Sequence, residues 1–246
     1  MKSRSAVRSP FWPGAIVVVL LLLASGVARA QGLAVLPVNI QMAPGQAAST
    51  LTVSNRGDSA TSIQVRVYAW NQPNGDRLDA TDEVIASPPL ATIPAGGSQV
   101  VRLLVRRPPL GREATYRILL DQIPPPASPG TVRVVLRLSI PIFAEPPARV
   151  APDVRWRVED DAGQAYLVGT NIGTRHETVR NIVLVTAGKV PLKVEANVSP
   201  YILAGATRRW RIVASGALPA PETSVHLSAH TDTGTIDETL AVAAGP

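Results

Sequence analysis

The sequence predicts an all-β chain built as two β-sandwiches in tandem. Three observations carry that expectation. Apolar residues alternate with period 2, and no stretch beyond Gln31 keeps an apolar 3.6-residue period for three turns. Turn signals recur at short spacing: Asn55-Arg56-Gly57-Asp58, Asn74-Gly75-Asp76, Asn171-Ile172-Gly173 and Asp232-Thr233-Gly234. Glu145-Pro146-Pro147-Ala148 then divides the pattern, because adjacent prolines end strand pairing and stiffen a linker.

The chain of 246 residues opens with a segment that reads as an address. Lys2, Arg4 and Arg8 form a positive region, Ile16 to Ala24 a short apolar one, and Ala28-Arg29-Ala30 a small-residue cleavage site. Residues 1–30 are therefore expected to be a signal peptide, cleaved after Ala30. The formal charge of +6 falls to +2 without that segment, which holds four bases and no acid. No Lys/Arg run marks a nucleic-acid surface. No later apolar run is long enough for stable membrane insertion. Cysteine is absent, so stability must come from packed cores.

The individual strands follow from the alternation. Ile63, Val65, Val67 and Ala69 share one face, and Gln64, Arg66 and Tyr68 the other. Residues 100–105, 116–123 and 132–143 read as further strands of the first unit, residues 31–146. A second unit, residues 149–246, takes strands at 155–158, 165–171, 181–185, 208–214, 224–230 and 235–241. Both units contain a strand followed by Asn-x-Gly, at Asn55 and at Asn171.

Chemistry-bearing patterns are missing. There is no G-x-S-x-G elbow, P-loop or H-E-x-x-H, and an enzyme is not expected. The three histidines are His176, His226 and His230. The last two are four apart, which on a strand separates them by roughly 13 Å and disfavours a shared metal. Glu159-Asp160-Asp161 reads as a solvated turn without calcium-loop spacing. Neither metal nor cofactor is expected.

Three segments carry a family resemblance. They are Ala86-Ser87-Pro88-Pro89 with Ile93-Pro94-Ala95-Gly96 and Gln99 to Leu103, then Arg112 to Pro124, then Leu136 to Phe143 leading into Pro146. In this order they resemble the PapD-like periplasmic pilus-assembly chaperones. Val65-Arg66-Val67, Trp70, Gln72, Asn74-Gly75 and Leu78 resemble the archaic branch, which serves spore-coat-type pilins. The resemblance implies two immunoglobulin-like sandwiches in the periplasm, with pilin-like subunits and an outer-membrane usher as partners. It also implies donor-strand complementation, in which the chaperone lends its last first-domain strand to an incomplete subunit. Matched to the family, Val132, Val134 and Leu136 enter the subunit groove, and Leu138 and Ile140 continue the same face. A strand from Val132 to Phe143 would reach about 36–40 Å. By alternation alone, these residues could equally belong to an ordinary core strand.

Two departures from the family stand out. The two cations that hold the subunit's C-terminal carboxylate are replaced by Asn39 and Pro141, leaving Arg102, Arg117 and Arg137 as candidates for that role. The acid and base of the family's interdomain ion pair appear as Gln122 and Glu145, so another contact must set the angle between domains. Two other readings stay open. One is a secreted structural or adhesive sandwich. The other is a carbohydrate-binding module using Trp70, Trp156 and Trp210.

Overall fold

The computed structural model describes residues 32–125, 130, 132, 134–195, 199–213 and 219–245, all of them strand, turn or loop. The expected signal peptide and its cleavage site lie outside the described residues, as do Thr131 and Arg133.

The first half forms two facing sheets. One is ordered β1 (Leu33–Leu36), β3 (Ala48–Asn55), β8 (Ser98–Val105) and β6 (Val84–Ser87). The other is ordered β2 (Ile40–Met42), β10 (Arg137–Ala144), β9 (Ala114–Ile123), β4 (Thr61–Asn71) and β5 (Arg77–Ala80). In this second sheet β7 (Leu90–Ile93) also pairs with β4. Side chains of period 2 from both sheets meet between them: Leu51, Val53, Ile63, Val101, Leu103, Ile118, Leu120 and Ile142 are buried there. Val67 and Ala69 pack against the same core, on the face the alternation assigns them.

The second half runs β14 (Pro191–Val194), β16 (Thr207–Val213), β12 (Gln164–Asn171), β11 (Val154–Asp161), β18 (Thr235–Ala244), β17 (Ser224–Thr231), β13 (Glu177–Thr186) and β15 (Tyr201–Ile202). Because β14 also pairs with β13, the pairing folds back on itself around a separate core that includes Val158, Leu167, Leu184 and Leu227. Trp156 and Trp210 pack against each other in this core, and Trp70 is buried elsewhere. None of the three is an exposed stacking platform. His226 and His230 share the outward face of β17, with His226 Nε2 3.0 Å from Asp237.

Two strands depart from the sequence reading. β13 starts at Glu177 rather than Asn181. Its first residues are polar yet buried, because Glu177 accepts hydrogen bonds from Thr233 Oγ1 and the Asp232 N–H in the opposite turn. Its register shifts between Arg180 and Val183, where Asn181 has φ 54°. The strand expected over 132–143 begins only at Arg137 and runs to Ala144. Residues 134–136 are not in regular pairing, since β9 ends beside them; Gln122 still donates its N–H to Leu136 C=O at 2.9 Å and accepts Leu136 N–H on its Oε1 at 3.4 Å.

The Asn-x-Gly echo is a repeated structural device. Asn55 Oδ1 accepts from Gly57 N–H at 3.0 Å, and Asn171 Oδ1 accepts from Gly173 N–H at 3.0 Å. Each Nδ2 then reaches across the sandwich, Asn55 to the carbonyls of Ser59 and Ile93, Asn171 to those of Arg175 and Ile202. Both asparagines are buried, so these bonds satisfy loop backbone that water cannot reach.

A third apolar cluster joins the halves. Trp70 and Phe143 of the first meet Tyr201, Leu203 and Ala206 of the second. Around it lie buried polar contacts. Glu113, in the loop before β9, has its two carboxylate oxygens 2.9 and 2.7 Å from His176 Nδ1 and accepts the His176 backbone N–H at 2.9 Å. Both side chains are essentially inaccessible. The imidazole stacks on Phe143 at 3.6 Å between centroids. Arg175 pairs with Glu145 at 3.2 Å. On the other flank, Gln72 accepts Leu203 N–H and donates to Tyr201 C=O, while Asp76 binds Arg208 at 3.2 Å. These are contacts between the halves of the kind expected in place of the ion pair that the resemblance implies. Glu145 takes part in them and Gln122 does not.

Two outcomes follow from these contacts. Asn171→Ala strands at least two buried backbone groups, so urea unfolding should show the second sandwich weakened by about 2–3 kcal/mol. A wild-type unfolding midpoint would contradict that role. Glu113→Ala leaves the His176 side chain and N–H without their acceptor. It should lower stability by about 2–4 kcal/mol and broaden the interdomain distances seen by small-angle scattering. Unchanged scattering would place the control of the angle elsewhere.

Candidate functional site

The site grows from the parity of β10. Leu138, Ile140, Ile142 and Ala144 face the core, with Ile140 4% exposed and Leu138 packed against its edge. Arg137, Ser139, Pro141 and Phe143 face the other way. Going toward the N-terminus, the same alternation in the sequence reaches Leu136, Val134 and Val132, beyond the end of the strand. Here exposure rises from 37% at Leu136 to 94% at both valines. Of the five residues expected on the donor face, Val132, Val134 and Leu136 stand open. Leu138 is half-committed and Ile140 is filled by its own core. In the chain alone Ile140 is thus a core residue of this sandwich.

The backbone of this region is open as well. β9 covers one side of β10 along its length. β2 covers the other side only from Ile142 to Ala144, in parallel. Among the described residues, the outer edge from Arg137 to Pro141 has no strand beside it. A groove of about 1000 Å³ lies next to the open segment, between it and Leu33, Asn55, Thr61, Gln122 and Ile123. An apolar row beside an unpaired edge can accept one more strand. Main-chain bonds would supply pairing and the alternate side chains would supply burial.

The three candidate arginines are not equivalent. Arg117 on β9 is the cross-strand neighbour of Pro141 on β10. Its guanidinium lies 3.7 Å over the Trp70 ring and donates to Ser199 Oγ of the second sandwich at 3.1 Å. Burial lowers its pKa, opposed by Asp76 and Tyr201 nearby. No carboxylate lies within 4 Å of it among the described residues. Asn39, one residue before the Ile40–Ile142 pair, leaves its Oδ1 buried with no partner among the described residues. Arg137 is instead tied to Asp121, which also binds Arg66 at 2.5 Å. These two guanidiniums, Arg137 foremost, hold the Asp121 carboxyl below the usual range. Arg102 projects from β8, in the opposite sheet, so the fold does not bring it to β10.

The family description "Pili and flagellar-assembly chaperone, PapD N-terminal domain" matches residues 32–149. Among curated relatives, the probable fimbrial chaperone EcpB of Escherichia coli O157:H7 is 30% identical over 107 residues, covering 42% of this chain and 48% of EcpB. The aligned stretch thus spans about half the length of the curated relatives. Among solved structures, one similar chain belongs to the CsuC–CsuE chaperone–tip adhesion subunit pre-assembly complex from archaic chaperone-usher Csu pili of Acinetobacter baumannii. It has a TM-score of 0.64 at 22% identity, covering 87% of this chain and 100% of that one. The YadV chaperone has a TM-score of 0.61 at 16% identity, covering 85% and 98%. The E. coli chaperone DraB has 0.56 at 21%, covering 85% and 97%. At such identities these likenesses are ones of fold, and they extend over both sandwiches. The first half of the chain thus matches the PapD N-terminal domain model, and the two-sandwich frame is one that these chaperones share.

Proposed function

We propose that this protein is a periplasmic chaperone that stabilises pilin-like subunits by donor-strand complementation and passes them to an outer-membrane usher. The observation that carries this reading is the set Val132, Val134 and Leu136, which continues the alternation of a buried core row in sequence and stands open to solvent beside an unpaired strand edge. Burying three such side chains would contribute roughly 5–9 kcal/mol by area, before the costs of association are subtracted. No step in this role needs catalysis, a metal or a cofactor. The export segment fits the role, with cleavage after Ala30 releasing units of residues 31–146 and 149–246 into the periplasm. The archaic fold neighbour supports assignment to that branch.

Arg117 is our choice for the cation that receives the subunit's C-terminal carboxylate. It stands one strand away from Pro141, and that corner also holds Arg208 and Asn39 Oδ1, which has no partner among the described residues. A charge-assisted bond there would contribute about 1.5–3 kcal/mol.

Co-expression with a pilin subunit in the periplasm tests both assignments. The unaltered chain should co-purify with the subunit. Leu136→Asp should abolish the complex while the chain stays folded, because the side chain already faces solvent. Arg117→Gln should weaken the complex by about tenfold or more. A full-strength complex with Leu136→Asp would remove the donor face from consideration, and one with Arg117→Gln would remove the anchor.

A further inference from the structure

The outward face of the open sheet carries a line of charge that complementation by apolar residues does not use. Cross-strand rows place Tyr68, Arg117 and Pro141 together, then Arg66, Leu119 and Ser139, then Gln64, Asp121 and Arg137. Successive rows are about 7 Å apart. Arginines therefore run from the corner between the sandwiches, where Arg117 meets Ser199, to Arg137 at the start of the open edge. Asp121 is the one acid in these rows, and it is shared by Arg66 and Arg137. The pair keeps it ionised, so the cluster has a surplus positive charge. Arg66 also buries its Nε with no acceptor among the described residues. Arg137 sits on β10 itself, and the side of β10 away from Asp121 is unpaired there.

Resting on the donor-strand reading, we propose that this face selects its partner by charge: the subunit strand that pairs with β10 carries carboxylates at its outward positions, opposite Arg137. In antiparallel or parallel pairing, a residue opposite Arg137 lies on the same face at cross-strand contact distance, about 4.5–5.5 Å between Cβ atoms. The second guanidinium, Arg66, stands behind Asp121 and adds to the field such a carboxylate meets. Charges at the rim of an interface act mainly on encounter and discrimination. The apolar row thus supplies burial, and the arginine line decides which strand is accepted and in which register.

The test uses two immobilised peptides with valine at alternate positions and either glutamate or lysine between them, presented to the mature chain. The glutamate peptide should associate at least about tenfold faster than the lysine peptide, with the difference shrinking as salt rises. The double variant Arg66→Gln/Arg137→Gln should make the two peptides equivalent. Arg155→Gln/Arg211→Gln, which removes the same charge from the second sandwich, should leave the preference intact. Equal association of both peptides with the unaltered chain, or a preference that survives Arg66→Gln/Arg137→Gln, would overturn the proposal, as would failure of the glutamate peptide to bind. The Leu136→Asp variant separates the two layers of the argument. If it binds both peptides as the unaltered chain does, the donor reading fails, whereas the charge preference is still read from the arginine variants.

Discussion

The two-residue period of β10 ties the core to the candidate docking face. Ile142 and Ile140 fill the space between the two sheets, and Leu136, Val134 and Val132 are the next positions of the same alternation in sequence, open to solvent. The sandwich ends near Arg137, and the apolar alternation in the sequence carries on beyond it. A one-residue slip would send the apolar row outward and Arg137 and Ser139 inward. The register is held by the long β9 pairing from Ala114 to Asp121 and by β2 at the far end. The open segment is therefore attached to a strand that cannot move without breaking the core.

The same strand connects the two halves of the molecule. Phe143, on the outward face two residues beyond Pro141, stacks on His176 and packs with Trp70 and Tyr201. Glu113 holds His176 through side chain and backbone, and this buried pair is one of the contacts that join the two sandwiches. Arg117 is fixed by the neighbouring cluster through Trp70 and Ser199. The candidate anchor and the candidate donor row thus lie at opposite ends of one rigid strand pair, at a spacing the junction does not alter. A second sandwich is useful here because it closes the corner in which Arg117 sits.

The fold class was legible because it rests on periodicity, and turns and alternation are local properties. Ile63, Val65, Ile118 and Ile142 fall where alternation puts them. The start of β10 was not legible: alternation continues through Val132, whereas pairing stops where β9 ends, a fact about a neighbouring strand. Ile140 shares the character of Val134 and differs only in what covers it. The short strands β2 and β15 have too few residues to show a period. His176 offered no local signal at all, since its partner Glu113 is 63 positions away and neither residue sits in a recognisable motif. The Asn-x-Gly echo could be read as a likeness between halves, but its buried cross-sandwich bonds could not. Among the candidate cations, only strand pairing separates Arg117, beside Pro141, from Arg102 on the opposite sheet.

The central claim is that one strand is complete at one end and unfinished at the other. Backbone hydrogen exchange along residues 132–144, measured with and without a bound pilin subunit, reads this directly. The account predicts slow exchange from Ile140 to Ala144 in both states. It predicts fast exchange from Val132 to Leu136 in the chain alone and strong protection of those amides in the complex. Protection of Val132 to Leu136 in the chain alone, or no change there on binding a subunit, would contradict it.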